Sequence, residues 1–112
     1  MSRPQTATSL QWLQEWFRSH CNGEWEHQNG VKIESLDNPG WGLVVDLHGT
    51  ELDSHIAEPY AVERDEHDWV FCKIEAGQFR GHGDPSKLEW MIEYFRRWVE
   101  TESTRSGKIG SA

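Results

Sequence analysis

The chain carries six histidines, two cysteines and nineteen carboxylates, the residue types that hold metals or move protons. Their spacing is not that of a built site. His20, His27, His48, His55, His67 and His82 form no His-x-x-x-His pair, and Cys21 and Cys72 form no Cys-x-x-Cys. A zinc site from these two cysteines and two histidines would have no local spacing behind it, so no metal and no cofactor is expected. Reduced, buried thiols are the plain reading of the cysteines. Glu24, Glu26 and His27, set around Trp25, are of the types that do acid–base work in a small hydrolase. No basic groove accompanies them to hold a phosphate substrate. Gly81-His82-Gly83-Asp84 resembles a phosphate loop only superficially, because the lysine–hydroxyl ending and the full glycine fingerprint are missing. It reads as a tight turn into the last helix.

The charge distribution is more informative. The net charge is −8, and the segment from Asp46 to Asp68 holds eight carboxylates against Arg64 alone. Such a field repels nucleic acid and attracts a basic protein. Seven tryptophans, against four Phe and two Tyr, are the other anomaly. Trp16, Trp69 and Trp98 fall on core patterns, whereas Trp25 and Trp41 flank turns. Tryptophan is enriched among interface anchors, and a carboxylate rim suits a cationic partner. The candidates for partner contact are therefore Trp25, Glu26, Trp41, Asp46, Glu51, Asp53, Asp65, Glu66 and Asp68. The plain alternative is a solvated loop face. No apolar run approaches the roughly 20 residues that span a bilayer. Residues Met1 to Thr6 lack the apolar stretch of a signal peptide. The expectation is a cytoplasmic protein with neither a membrane nor a nucleic-acid partner, its oligomeric state left open.

The elements that would position these residues follow from periodicity. Thr8 with Gln11 is a capping box, and Leu10, Leu13, Phe17 and Cys21 recur at helical spacing, predicting a helix over Ser9–His20. A short strand is predicted through Trp25. Val31 and Ile33, then Trp41, Leu43, Val45 and Leu47, alternate with more polar neighbours on either side of Asp37-Asn38-Pro39-Gly40. This predicts an antiparallel hairpin with a type II turn at Pro39-Gly40. Further strands are predicted over 59–64 and 69–75, the second apolar on both faces and so covered on both sides. A short edge strand is predicted over 78–81. Asp84-Pro85 predicts the start of a helix running to about Thr101. Short connections make the expected fold α+β, an antiparallel meander sheet of four to five strands with an N-terminal and a C-terminal helix packed on one face. The expected division is a flexible leader over residues 1–8, one domain over 9–102 and a disordered tail over 103–112.

Four motifs then stand in order: Trp12-Leu13-Gln14-Glu15-Trp16, Gly23-Glu24-Trp25-Glu26-His27, Leu36-Asp37-Asn38-Pro39-Gly40-Trp41 and Asp68-Trp69-Val70-Phe71-Cys72. Together they resemble the immunity protein 53 family of bacterial polymorphic-toxin systems, from about Leu10 to Val99. The resemblance implies an α+β fold and a cytoplasmic antidote, encoded beside a toxin, that binds and neutralises the toxin's catalytic domain. It carries over no catalytic residues, and no role for Arg96-Arg97 or for the tail from Ser103. The expected function is a non-enzymatic immunity protein whose acidic, aromatic-anchored surface occludes a basic toxin domain. The alternatives are a small metal-dependent or acid–base hydrolase using Glu26 and His27, with His82 as a further group, and a general protein-interaction adaptor.

Overall fold

A computed structural model describes residues 7–110, of which 105–110 are described as backbone only. Most of the expected leader, and residues 111–112 of the expected tail, lie outside the described residues. Helix α1 spans Ser9–His20, as its capping box predicts. Thr8 Oγ1 accepts from Gln11 N, and Gln11 Oε1 accepts from Thr8 N, both at 3.0 Å. The expected strand through Trp25 is instead the single helical turn α2, Trp25–Gln28. Local side chains decide this: Asn22 Oδ1 accepts from the backbone N–H of Glu24 and of Trp25, both at 2.9 Å. Such side-chain-to-backbone bonds compete directly with strand pairing.

The five strands are β1 Val31–Leu36, β2 Gly40–Asp46, β3 Ala57–Asp65, β4 Asp68–Glu75 and β5 Gln78–Gly83. Every pairing is antiparallel, and the order is β1-β2-β5-β4-β3. The α+β architecture is therefore the one read from the sequence. The order is not the expected meander: β3 and β5 exchange places, so that β5, expected at an edge, is central, and the connection over residues 47–56 carries the chain from β2 to β3 at the far edge. Its glycines explain the misreading. A Cβ on Gly81 would lie 2.9 Å from Met91 Sδ, and one on Gly83 would lie 2.6 Å from Lys87 Cβ. These glycines do not weaken an edge; they let the C-terminal segment cross the middle of the sheet.

The β1–β2 hairpin is present, with Leu36 paired to Gly40, but its turn differs from the expected one. The Asn38–Pro39 peptide is cis, and Gly40 is absent from the glycines with positive φ. Gly40 is glycine for a steric reason, since a Cβ there would collide with the Gly83 carbonyl of the neighbouring strand.

Helix α3 spans Leu88–Gly110, starting later and running further than the sequence predicts. Asp84 is not its N-cap. It lies in the preceding turn, 1% exposed. The helix continues beyond the apolar stripe, where Thr104 Oγ1 donates to the Glu100 carbonyl at 2.9 Å. No helix among the described residues is long and apolar enough to cross a membrane. Leu13 and Trp16 of α1 join Met91, Ile92, Phe95 and Val99 of α3 in one core against Leu43, Val45, Val70, Cys72, Ile74 and Phe79 of the sheet. Both helices thus cover the same face. The strand expected to be covered on both sides, β4, is covered on one: Val70, Cys72 and Ile74 are buried, while Phe71 is 37% exposed.

Candidate partner interface

The register places the sequence candidates in two groups at opposite ends of the sheet. Trp25, Glu26, Asp46, Glu51 and Asp53 lie toward the end where β2 finishes and β4 turns into β5. Trp41, Asp65, Glu66 and Asp68 lie toward the other, where β3 turns into β4. The seven residues of β2 separate the groups by roughly 20 Å at the usual rise per strand residue. The acidic run of the sequence is not one patch in space.

The first group is largely absorbed into structure. Trp25 is buried, and its indole N–H donates to the His48 carbonyl at 2.7 Å. Glu26 accepts from the backbone N–H of Asn22 at 3.0 Å and of Gly23 at 2.8 Å. Backbone N–H groups, its own first and then those two, hold the Glu26 carboxyl below the usual range. Asp46 accepts from Gly30 N at 2.9 Å and from the Gln78 side-chain amide at 2.8 Å, clasping β1 and β5 to the end of β2. Asp53 accepts from Gly49 N at 3.0 Å, and Glu51 faces His20 Nε2 at 3.3 Å. Neighbouring His27 is exposed, and the Glu26 carboxylate is engaged with the backbone N–H groups of Asn22 and Gly23. Among the described residues no cluster of three or more His, Cys, Asp or Glu is placed to hold a metal ion. Cys21 and Cys72 are both free thiols, and burial pushes the Cys72 thiol up to about 12.

The second group divides between scaffold and surface. Trp41 is half-buried and donates its indole N–H to the Pro85 carbonyl at 3.0 Å. Asp68 accepts from Lys87 Nζ at 2.8 Å and from Arg64 at 3.4 Å; the Lys87 hydrogen bond foremost holds its carboxyl low. Lys87 Nζ also reaches Asp84 at 2.7 Å, so one ammonium ties the β3–β4 turn to the start of α3. Asp65 and Glu66 remain exposed at the turn, Asp65 accepting from His67 N at 2.7 Å.

Beside them, on the side of the sheet away from the helices, lie residues that sequence reasoning assigned to the core. Trp69 is half-buried and Phe71 exposed, and with Ala61, Glu63 and Glu66 they line a hollow of about 440 Å³. The strand alternation carried the signal, since Trp69 and Phe71 share a face opposite Val70, Cys72 and Ile74. What could not be read was that no helix covers that face.

A family model described as immunity protein 53 matches residues 10–100. The chain belongs to the immunity protein 53 family. Family membership carries a toxin as the partner and a non-enzymatic role as the one to test first. Neither a curated protein nor a solved structure matches the chain.

Proposed function

We propose that this member of the immunity protein 53 family binds its cognate toxin domain in the cytoplasm of the producing cell and neutralises it by occlusion. The match over residues 10–100 is the observation that carries this reading. The geometry favours the β3–β4 end as the acidic, aromatic-anchored contact. There, exposed Glu63 and Glu66 line the hollow with Trp69 and Phe71, and exposed Asp65 stands at the adjoining turn. Carboxylates speed the encounter with a basic partner, and large apolar rings hold the complex once water is excluded. The unit proposed to perform this is the domain expected over residues 9–102, whose last helix continues to Gly110. The hydrolase reading has less to support it, because Glu26 is engaged with backbone N–H groups.

Co-expression with the toxin domain encoded next to this chain tests the reading. Growth should be restored, and the two proteins should co-purify one to one. Toxicity that persists while the protein is folded and abundant would refute it. Asp65→Lys with Glu66→Lys should slow association at low salt, with a loss of stability of only about 1 kcal/mol from the His67 N–H that Asp65 accepts.

A further inference from the structure

The bare face of the sheet has a charge order that the linear sequence hides. Cross-strand pairing aligns Lys32 with Val44, Val44 with Arg80 and Arg80 with Lys73, in one row across β1, β2, β5 and β4. The next row toward the β3–β4 end is Glu34, Gly42, His82, Phe71 and Ala61. Beyond it stand Trp69 and Glu63, with Glu66 of the turn beside them on the hollow, whereas the Asp65–Asp68 pair, after a register shift, belongs to the helix side, where Asp68 meets Lys87. Arg80 is exposed although β5 is the central strand, which shows that nothing within the described residues covers this face. Lys73 is paired with Glu75 at 2.8 Å. Lys32 and Arg80 make neither an ion pair nor a side-chain hydrogen bond among the described residues. In a chain of net charge −8, these two unpaired cations, two strands apart and about 10 Å at ordinary strand spacing, give this part of the face both signs. They flank Val44 over a second hollow, of about 370 Å³, which Glu34 and Asp46 also line.

We infer that the toxin domain docks on this uncovered face in one fixed orientation. A carboxylate of the toxin sits between Lys32 and Arg80, an apolar side chain fills the Trp69–Phe71 hollow, and basic residues meet Glu63 and Glu66. The face offered is thus an apolar hollow with carboxylates alone on one flank and a row of mixed charge, holding the two free cations, on the other. This rests on the immunity reading and adds to it the face, the orientation and the need for an acidic group on a partner otherwise expected to be basic. The cations are confined to one flank, so in the reversed pose the toxin's carboxylate would meet Glu63 and Glu66.

The test uses the full chain and the toxin domain encoded beside it, with affinity measured by calorimetry. Lys32→Glu with Arg80→Glu should weaken binding roughly 100-fold, and Phe71→Ala roughly tenfold or more. Arg97→Glu on the helical layer should change affinity by no more than about threefold. Both sheet-face sites are exposed, and unchanged thermal melting of the variants will show intact folding. Hydrogen exchange of the wild-type complex gives a variant-free readout, with new protection expected over residues 31–36, 69–73 and 78–82. Tight wild-type binding with protection on the helices, and no loss in the sheet-face variants, would overturn the inference and leave the immunity reading standing. Failure of the wild type to bind would overturn both.

Discussion

Asp84 is a carboxylate with almost no water around it. Burial alone would raise its pKa. Hydrogen bonds from Lys87 and Ser86, then from the backbone N–H groups of Trp69 and Ser86, outweigh that and hold it well below the usual carboxylate range. A pKa depressed in the folded state contributes stability that is full above the unfolded value of about 3.9 and is lost as pH falls below it. The unfolding free energy should therefore drop on acidification below about pH 4, and Asp84→Asn should flatten that limb in urea titrations run at several pH values. Asp84→Ala at neutral pH should cost about 3 kcal/mol, because it leaves Lys87 and two backbone N–H groups short of an acceptor. The tryptophans offer a paired comparison. Trp25 spends its N–H on His48, whereas Trp16 Nε1 is buried with no acceptor among the described residues. Trp25→Phe should then cost about 1–2 kcal/mol more than Trp16→Phe in denaturant midpoints, the second change removing a donor that was already unsatisfied. Sequence spacing identified both as large buried rings or turn-flanking ones; it carried no information on which indole had found a carbonyl, because His48 is distant in the chain.

At the level of elements, those governed by neighbours in sequence were the most legible. The Thr8–Gln11 box set the start of α1, and alternation set β2 and β4. Elements governed by distant contacts were misread. β5 looked like an edge because Gly81 and Gly83 carry no β-propensity, yet they are small so that Met91 and Lys87 can pass over them. Gly83→Ala should destabilise by about 1–3 kcal/mol through overpacking, and Gly40→Ala by at least as much, since its Cβ would press on backbone. Midpoints of chemical unfolding will rank them. The two-residue β4–β5 turn points the other way. Ala76 sits at φ 56, beside Gly77 at φ 76. An L-residue in that region is strained by roughly 1–2 kcal/mol. Ala76→Gly should raise stability by a few tenths to about 1 kcal/mol, the gain reduced by the greater freedom of glycine in the unfolded chain. A lower melting temperature in that variant would contradict the strain.

For the molecule as a whole, the acidic run from Asp46 to Asp68 was read correctly as charge and incompletely as surface. Its carboxylates lie at both ends of the sheet because β3 returns along the full length that β2 has just travelled. Association with the toxin should slow as salt rises, as for any partner drawn by net charge. That slope should be reduced in Asp65→Lys with Glu66→Lys, measured by stopped-flow mixing across ionic strength. Trp69 and Phe71 show the limit of sequence reading at this scale. Their alternation was visible, but whether the second face of β4 met a helix or solvent depended on where both helices went.

The charge order along the sheet also has an electrical consequence. Carboxylates at both ends with Lys32 and Arg80 between them make the distribution closer to a quadrupole than to a dipole on that axis. At long range a cationic partner is pulled in by the net charge of −8 and turned hardly at all. Torque arises only within about one Debye length, roughly 8 Å at physiological salt. Many first collisions should therefore be misaligned, and the chain would reach its partner quickly but settle by rolling over the surface, so that capture and alignment become separate kinetic steps.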